Sequence, residues 1–369
     1  MIVVASAVYM GARVVMSVVC AATARCVDVN TVISFALYPA VLPETFDAGV
    51  TQGRETGGSR ETSMTNCNKA SQHGSNDTSH ASPRRFIILS SPKSGTTWVQ
   101  MMLNTHPHLW ARGEMLLEWS RSCRGSLSGC KWTDAERLLQ AAYAKPQPGQ
   151  RSEELEWLRL TSRGRRGAIG LVVMYDQLPT GSVSEFLDWV WCNDVSVIHL
   201  QRSATIESFW TLQAETYDFI DLGTGGYTDN SRIDISHKLS SNSRPLMLDP
   251  VAANTYVRTV ETARTVYTDA LRFYPRGTIK YHALFYEDIN PQRVGDTHPV
   301  GSGGVKTRGL ELQEAHLDSL LAFLQVPLAT LDTQIITRIH PHTCQEKIAN
   351  WQAVARALKG TTALTACVS

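Results

Sequence analysis

Apolar and polar positions divide this chain into three regimes. Residues 2–23 (IVVASAVYMGARVVMSVVCAAT) are almost continuously apolar, with Arg13 near their centre. Residues 51–83 contain almost no large apolar side chain. From residue 85 onward, short apolar runs alternate with stretches of helical period. The runs at 86–89, 169–174, 195–200 and 279–286 predict strands, and such short continuous runs suit a parallel sheet buried on both faces. Residues 94–106, 183–192, 203–215, 251–273, 312–324 and 348–358 predict helices. The clearest stripe is Val257, Val260, Ala263, Tyr267, Ala270 and Leu271. Strand–helix alternation of this kind predicts an α/β fold, a parallel sheet flanked by helices on both faces. Gly-, Ser- and Asn-rich pieces at 222–245 and 290–309 predict loops, and no internal repeat is present.

The organisation that follows is an apolar leader at 1–50, a stalk at 51–83, a folded domain at 84–361 and a short tail at 362–369. The stalk is too polar to offset its ordering entropy by burial, which predicts flexibility. It carries a glycosylation sequon, Asn76-Asp77-Thr78. Arg13 costs a membrane span roughly 2.5 kcal/mol or more. The leader therefore fits a signal peptide cleaved near Ala22-Thr23-Ala24, a membrane anchor or an organelle transit segment, and we favour the secretory route.

Composition narrows the chemistry. Hydrophobic residues make up 43% and charged residues 19%, as in a globular enzyme. A net charge of +1 gives no global attraction to nucleic acid, so anion recognition must be local. Eight cysteines without a Cys-x-x-Cys pair argue against a disulfide-built mini-domain and against a zinc site, and no Asp/Glu/His cluster has metal-ligand spacing. Cys123 and Cys130 bracket a Gly/Ser-rich stretch that a disulfide could close; two free thiols fit equally.

The most informative segment is Ser90-Ser91-Pro92-Lys93-Ser94-Gly95-Thr96-Thr97-Trp98, directly after the first predicted strand. A glycine at a strand-to-helix turn lets backbone N–H groups face a bound anion, and the helix start adds a favourable dipole. Thr96 and Thr97 add hydroxyls, and Lys93 adds a mobile positive charge. This is not the ordinary nucleotide loop G-x-x-x-x-G-K-[ST], because Lys93 precedes the glycine and no glycine lies five residues before Gly95.

The run Lys93-Ser94-Gly95-Thr96-Thr97-Trp98, continued into His106-Pro107, resembles the 5′-phosphosulfate loop of sulfotransferases. These enzymes use 3′-phosphoadenosine 5′-phosphosulfate (PAPS). The resemblance implies a P-loop-like α/β fold and a donor site formed by Lys93, Ser94, Gly95, Thr96, Thr97 and Trp98. It also implies that Lys93 stabilises the charge building on the leaving phosphate. A second segment, Val197-Ile198-His199-Leu200-Gln201-Arg202, resembles the strand that carries the 3′-phosphate arginine. Arg202 takes that role, with Ser208 or Thr211 as the hydroxyl partner. The family spacing is shifted here, and the usual Arg-Asp-Pro is replaced by Arg202-Ser203-Ala204.

Sulfuryl transfer to a hydroxyl needs a base. Gly113-Glu114 resembles the Gly-Glu base of the tyrosine-protein and some carbohydrate-directed branches, which puts Glu114 ahead of His108. Met174-Tyr175-Asp176-Gln177 resembles a strand exit of carbohydrate-type members that lines the acceptor cleft. The Arg-Lys-Gly motif of cytosolic members is absent. The expectation is a Golgi-type sulfotransferase, in the Golgi membrane or lumen, acting on an acceptor hydroxyl, with carbohydrate favoured. The alternatives are a P-loop phosphotransferase that does not sulfate and an inactive relative that binds glycan. The basic stretch 159–166 reads as a solvated connection.

Overall fold

The computed structural model describes residues 83–124, 129–146, 150–161, 167–222, 245–290, 308–333 and 344–368, together with three short strands near the amino terminus. Those strands are β1 (Val3–Val4), β2 (Val18–Ala21) and β3 (Arg25–Asp28), which form an antiparallel sheet in that order. The rest of the leader, the sequon and the stalk fall outside the described residues. No helix among the described residues is long and apolar enough to cross a membrane.

The main sheet has five parallel strands. They are β4 (Arg84–Ser90), β5 (Leu109–Glu114), β6 (Ala168–Met174), β7 (Ser196–Gln201) and β8 (Tyr281–Phe285). Their order is β5-β6-β4-β7-β8, so the first strand of the domain lies at the centre. Register is continuous across it: Leu89 is opposite Val173 on β6 and His199 on β7. Nine helices among the described residues accompany the sheet. These are α1 (Thr96–Asn104), α2 (Leu117–Arg124), α3 (Trp132–Ala142), α4 (Arg151–Thr161), α5 (Val183–Cys192), α6 (Thr205–Leu222), α7 (Pro250–Arg272), α8 (Tyr286–Ile289) and α9 (Arg308–Phe323). Three more close the chain: α10 (Cys344–Lys347), α11 (Trp351–Ala357) and α12 (Thr362–Val368).

Alternation along the strands divides the core. Phe86, Ile88, Val172, Ile198 and Leu200 pack against Trp98, Val99 and Met102 of α1 and Leu320 and Leu321 of α9. Ile87, Leu89, Leu171, Val173 and Val197 pack on the other face against α3, α5 and α7. Each fully buried side chain of this size stabilises the fold by about 1.5–3 kcal/mol. A third cluster joins Phe209 and Trp210 of α6 to Tyr256 and Val257 of α7 and to the carboxyl-terminal helices.

Several expectations need correction. Residues 109–114 form the edge strand β5, which sequence pattern did not predict. Helices α2, α3 and α4 were also unpredicted. Of the predicted helix 348–358 only α11 is helical; Ile348 instead bridges Leu246, and α10 ends just before it. The supposed loop 290–309 ends inside α9, while 223–244 lies outside the described residues. Residues 362–368, read as a tail, form α12, whose Ala363 is buried. Of the two readings for Cys123 and Cys130 the disulfide is the one observed, and Cys344 and Cys367, for which no pairing was predicted, are bonded as well. Arg159 of the basic stretch is a brace: its guanidinium donates to His106 O and Leu109 O. Residues 162–166 lie outside the described residues.

Candidate active site

All the parallel strands end on the same side, and the candidate residues gather there. The loop follows β4 directly. Ser90 Oγ donates to Leu200 O (2.8 Å), tying the exits of β4 and β7 together. Lys93 and Gly95 both adopt left-handed backbone, with φ of 61° and 90°. Left-handed residues alternating with Ser94 re-aim the peptide units of the turn, a geometry that can point N–H groups towards an anion. Gly95 is required twice over, since a Cβ there would lie 2.4 Å from Cδ2 of Tyr286. Helix α1 then starts with no side-chain cap and no acidic residue in its first turn. Its first N–H groups and its positive dipole end thus await an external acceptor.

Within the loop the side chains diverge. Thr97 is exposed, Lys93 half-buried and Thr96 buried. Ser94 is fully buried, its Oγ 2.7 Å from Ser91 Oγ, so it shapes the turn from inside. Trp98, expected among the donor contacts, instead packs into the core and meets Tyr286 edge-on at 5.8 Å. On a helix its position turns it away from the loop mouth.

The β7–α6 turn closes on this loop. Arg202 Nη1 donates to Lys93 O (2.9 Å), and Ser208 Oγ donates to the same carbonyl (3.1 Å). Two residues expected at the 3′-phosphate therefore converge on the phosphate loop itself. Thr211 turns back onto its own helix, donating to Glu207 O (2.8 Å). Arg202 also donates to the buried Glu207 carboxylate, and its guanidinium lies over the Tyr286 ring, 5.2 Å from the centroid. Glu207 in turn meets Lys347 Nζ at 3.4 Å. The Glu287 carboxylate accepts Ser203 N–H and Ala204 N–H, each at 3.1 Å, capping the start of α6.

At the other end of the sheet, β5 delivers Glu114. Gln177 Nε2 donates to Glu114 Oε2 (2.7 Å), while Gln177 Oε1 accepts Met174 N–H (3.1 Å). The strand exit resembling an acceptor-cleft segment thus orients the proposed base. Asp176 sits beside them with its pKa raised, mainly by burial; its partner is Arg124 at 3.7 Å. His106 is a turn residue: its Nδ1 accepts His108 N–H (3.0 Å) and its Nε2 meets Pro327 O (2.9 Å).

Sequence reasoning missed two features. His199 is wholly buried on β7, its Nε2 2.5 Å from the Tyr175 hydroxyl and its Nδ1 3.2 Å from Gln201 Nε2. Burial, then the nearby Arg264 charge, pushes its pKa down to about 4, so the imidazole is neutral near pH 7. Arg264 itself, on α7, donates to Arg202 O (3.3 Å) and to Thr362 Oγ1 (3.2 Å). A His within a predicted strand directly before Arg202 was the available signal for the first; Arg264 gave none, lying beside a stripe that reads as packing.

No protein-family profile matches this chain. Among curated proteins, Nodulation protein H of Rhizobium tropici is 30% identical over 77 residues, 19% of this chain and 27% of that protein. The chain thus spans about a quarter of the length of that relative. Among solved structures, it is similar to a sulfotransferase from Alicyclobacillus acidocaldarius at 13% identity and a TM-score of 0.34, covering 70% of this chain and 87% of that one. The sulfotransferase domain from the curacin biosynthetic pathway is similar at 15% identity and a TM-score of 0.32, covering 77% and 89%. The α/β fold stands on the strand order and register above.

Proposed function

We propose that this protein transfers a sulfuryl group from PAPS to an acceptor hydroxyl, with a carbohydrate as the favoured acceptor. The observation that carries the reading is the lysine-before-glycine loop at the exit of the central strand, doubly left-handed and followed by an uncapped helix start. These features fit the 5′ end of an anionic donor. When bound, PAPS supplies an activated sulfuryl group on a phosphate leaving group.

The chain's own residues have distinct tasks. Lys93 places positive charge where negative charge builds, and the α1 N–H groups with the Thr97 hydroxyl hold the 5′ end. Gly95, Ser94 and Thr96 keep the turn in shape. Arg202 and Ser208 fix the loop through Lys93 O. Glu114, oriented by Gln177, takes the acceptor's proton.

The test is transfer from labelled PAPS to a library of carbohydrate, phenol and small-alcohol acceptors. Wild type is expected to sulfate a carbohydrate. Lys93→Ala should lower kcat by about 100- to 1,000-fold, and Glu114→Gln by about 100- to 10,000-fold. Absence of transfer to every acceptor, together with ATP binding as tight as that of adenosine 3′,5′-bisphosphate, would sink the proposal.

A further inference from the structure

The disulfide between Cys344 and Cys367 touches the carboxylate that aims Arg202. Cys344 opens α10 and is 2% exposed, and its sulfur lies 3.7 Å from Glu207 Oε1. The same oxygen meets Lys347 Nζ at 3.4 Å, while the other carboxylate oxygen accepts from Arg202. Arg202 and Ser208 in turn donate to Lys93 O in the phosphate loop. A single buried carboxylate thus separates a disulfide sulfur from the arginine that fastens the loop. A sulfur in a disulfide carries no hydrogen, so oxidised Cys344 has no donor to offer Glu207. A thiol has one, and at this position its S–H faces Oε1.

The two sulfurs differ in access. Cys344 is enclosed, whereas Cys367, near the end of α12, is half-buried. The start of α12 has fastenings of its own. The Glu261 carboxylate of α7 accepts the Thr362 hydroxyl and Ala363 N–H, and Ala363 is fully buried. At the far end of α10, Lys347 O accepts Leu246 N–H and the Trp210 indole N–H, each at 2.9 Å. Opening the bond therefore releases the end of α12 and the start of α10 while the rest of both segments stays docked. A local, reversible change follows from that arrangement, not unfolding.

We propose that Cys344–Cys367 is a thiol–disulfide switch that sets donor affinity through Glu207, with a dithiol as its reductant. This rests on the PAPS reading above. A thiolate of the dithiol attacks Cys367 Sγ, the accessible sulfur; the S–S bond breaks, and Cys344 leaves and takes up a proton. The second thiol of the reductant then attacks the mixed disulfide, closes its own S–S bond and releases Cys367 as a thiol. Two electrons and two protons pass from the dithiol to the protein. The new Cys344 S–H competes with Lys347 for Oε1 and draws the Glu207 carboxylate from Arg202. The hold on Lys93 O slackens, so the oxidised form is the tighter binder.

Titration calorimetry of the full chain with adenosine 3′,5′-bisphosphate, before and after treatment with dithiothreitol, reads the switch. Affinity should fall about 10-fold on reduction and return on reoxidation, with the far-ultraviolet circular dichroism unchanged. Thiol alkylation and peptide mass mapping of the wild-type protein assign the effect. The loss should track opening of Cys344–Cys367 and not of Cys123–Cys130. The Cys344→Ala/Cys367→Ala variant should bind equally with and without the dithiol; should it not fold, the mapping on wild type decides. If the oxidised protein binds the bisphosphate no more tightly than ATP, the PAPS reading fails and this inference with it. If it prefers the bisphosphate, and opening Cys344–Cys367 leaves affinity unchanged or lowers it only as the dichroism is lost, the switch alone is overturned.

Discussion

Gly95 has no room for a side chain on one flank and no easy backbone conformation for one either. Its φ of 90° disfavours any L-residue, and the Tyr286 ring occupies the place of a Cβ. Gly95→Ala should therefore cost about 2–4 kcal/mol of stability and abolish nucleotide binding, readable by urea denaturation and calorimetry. His199 makes a different prediction. Its folded pKa lies near 4, below the ordinary 6.5, so the unfolded chain binds the extra proton between those values. Stability contributed by the neutral imidazole is full above about pH 6.5 and falls as pH drops towards 4, by up to about 3 kcal/mol. Replacing His199 with Gln should flatten that part of the stability–pH curve; an unchanged slope would show that the imidazole titrates freely. Lys93 and Gly95 were legible in the sequence because a strand-to-helix turn is local chemistry. The Glu114–Gln177 and Tyr175–His199 pairs were not, since each joins a strand residue to the turn Tyr175–Gln177 after β6, a meeting that only the sheet order brings about.

At the scale of elements, the turn between β7 and α6 is braced from three directions. Glu287 of α8 caps it, α7 touches it through Arg264, and Lys347 of α10 reaches Glu207 behind it. Removing the Glu207 charge leaves two buried cations without their carboxylate, a loss of about 3–5 kcal/mol. Glu207→Gln should lower the denaturation midpoint accordingly and also loosen the loop, because Arg202 loses what aims it at Lys93 O. A variant as stable as wild type would mean the pair is solvated. Strands β4, β6 and β7 were readable as apolar runs because both of their faces are covered. Strand β5 was not, since it is an edge whose Arg112-Gly113-Glu114 end mimics a turn. Helix α3 did carry a readable stripe, Ala135, Leu139 and Ala142; α4 is mostly charged and did not.

For the whole molecule, the carboxyl terminus matters as much as the loop. The Cys344–Cys367 disulfide holds α12 to α10, the helix that supplies Lys347. Closing a loop of this length restricts the unfolded chain by about 3 kcal/mol. The Cys344→Ala/Cys367→Ala double variant should melt several degrees lower than wild type, with nucleotide affinity reduced through the loosened brace; equal melting temperatures would refute this. The alternation from residue 84 announced the architecture, whereas the disulfide and the closing helices depend on contacts between distant residues that no local pattern records. The central position of β4 also has a bearing on biosynthesis. Phe86 finds its neighbours only when Gly170 and then Ser196 have left the ribosome, so the strand emerges long before either of its partners. Until then an apolar Phe-Ile-Ile-Leu segment is open to other nascent chains, and the adjoining Arg84 and Arg85 put like charges where such chains would stack. The strand that leads into the phosphate loop is thus made early, paired only when later strands emerge, and flanked in between by two arginines.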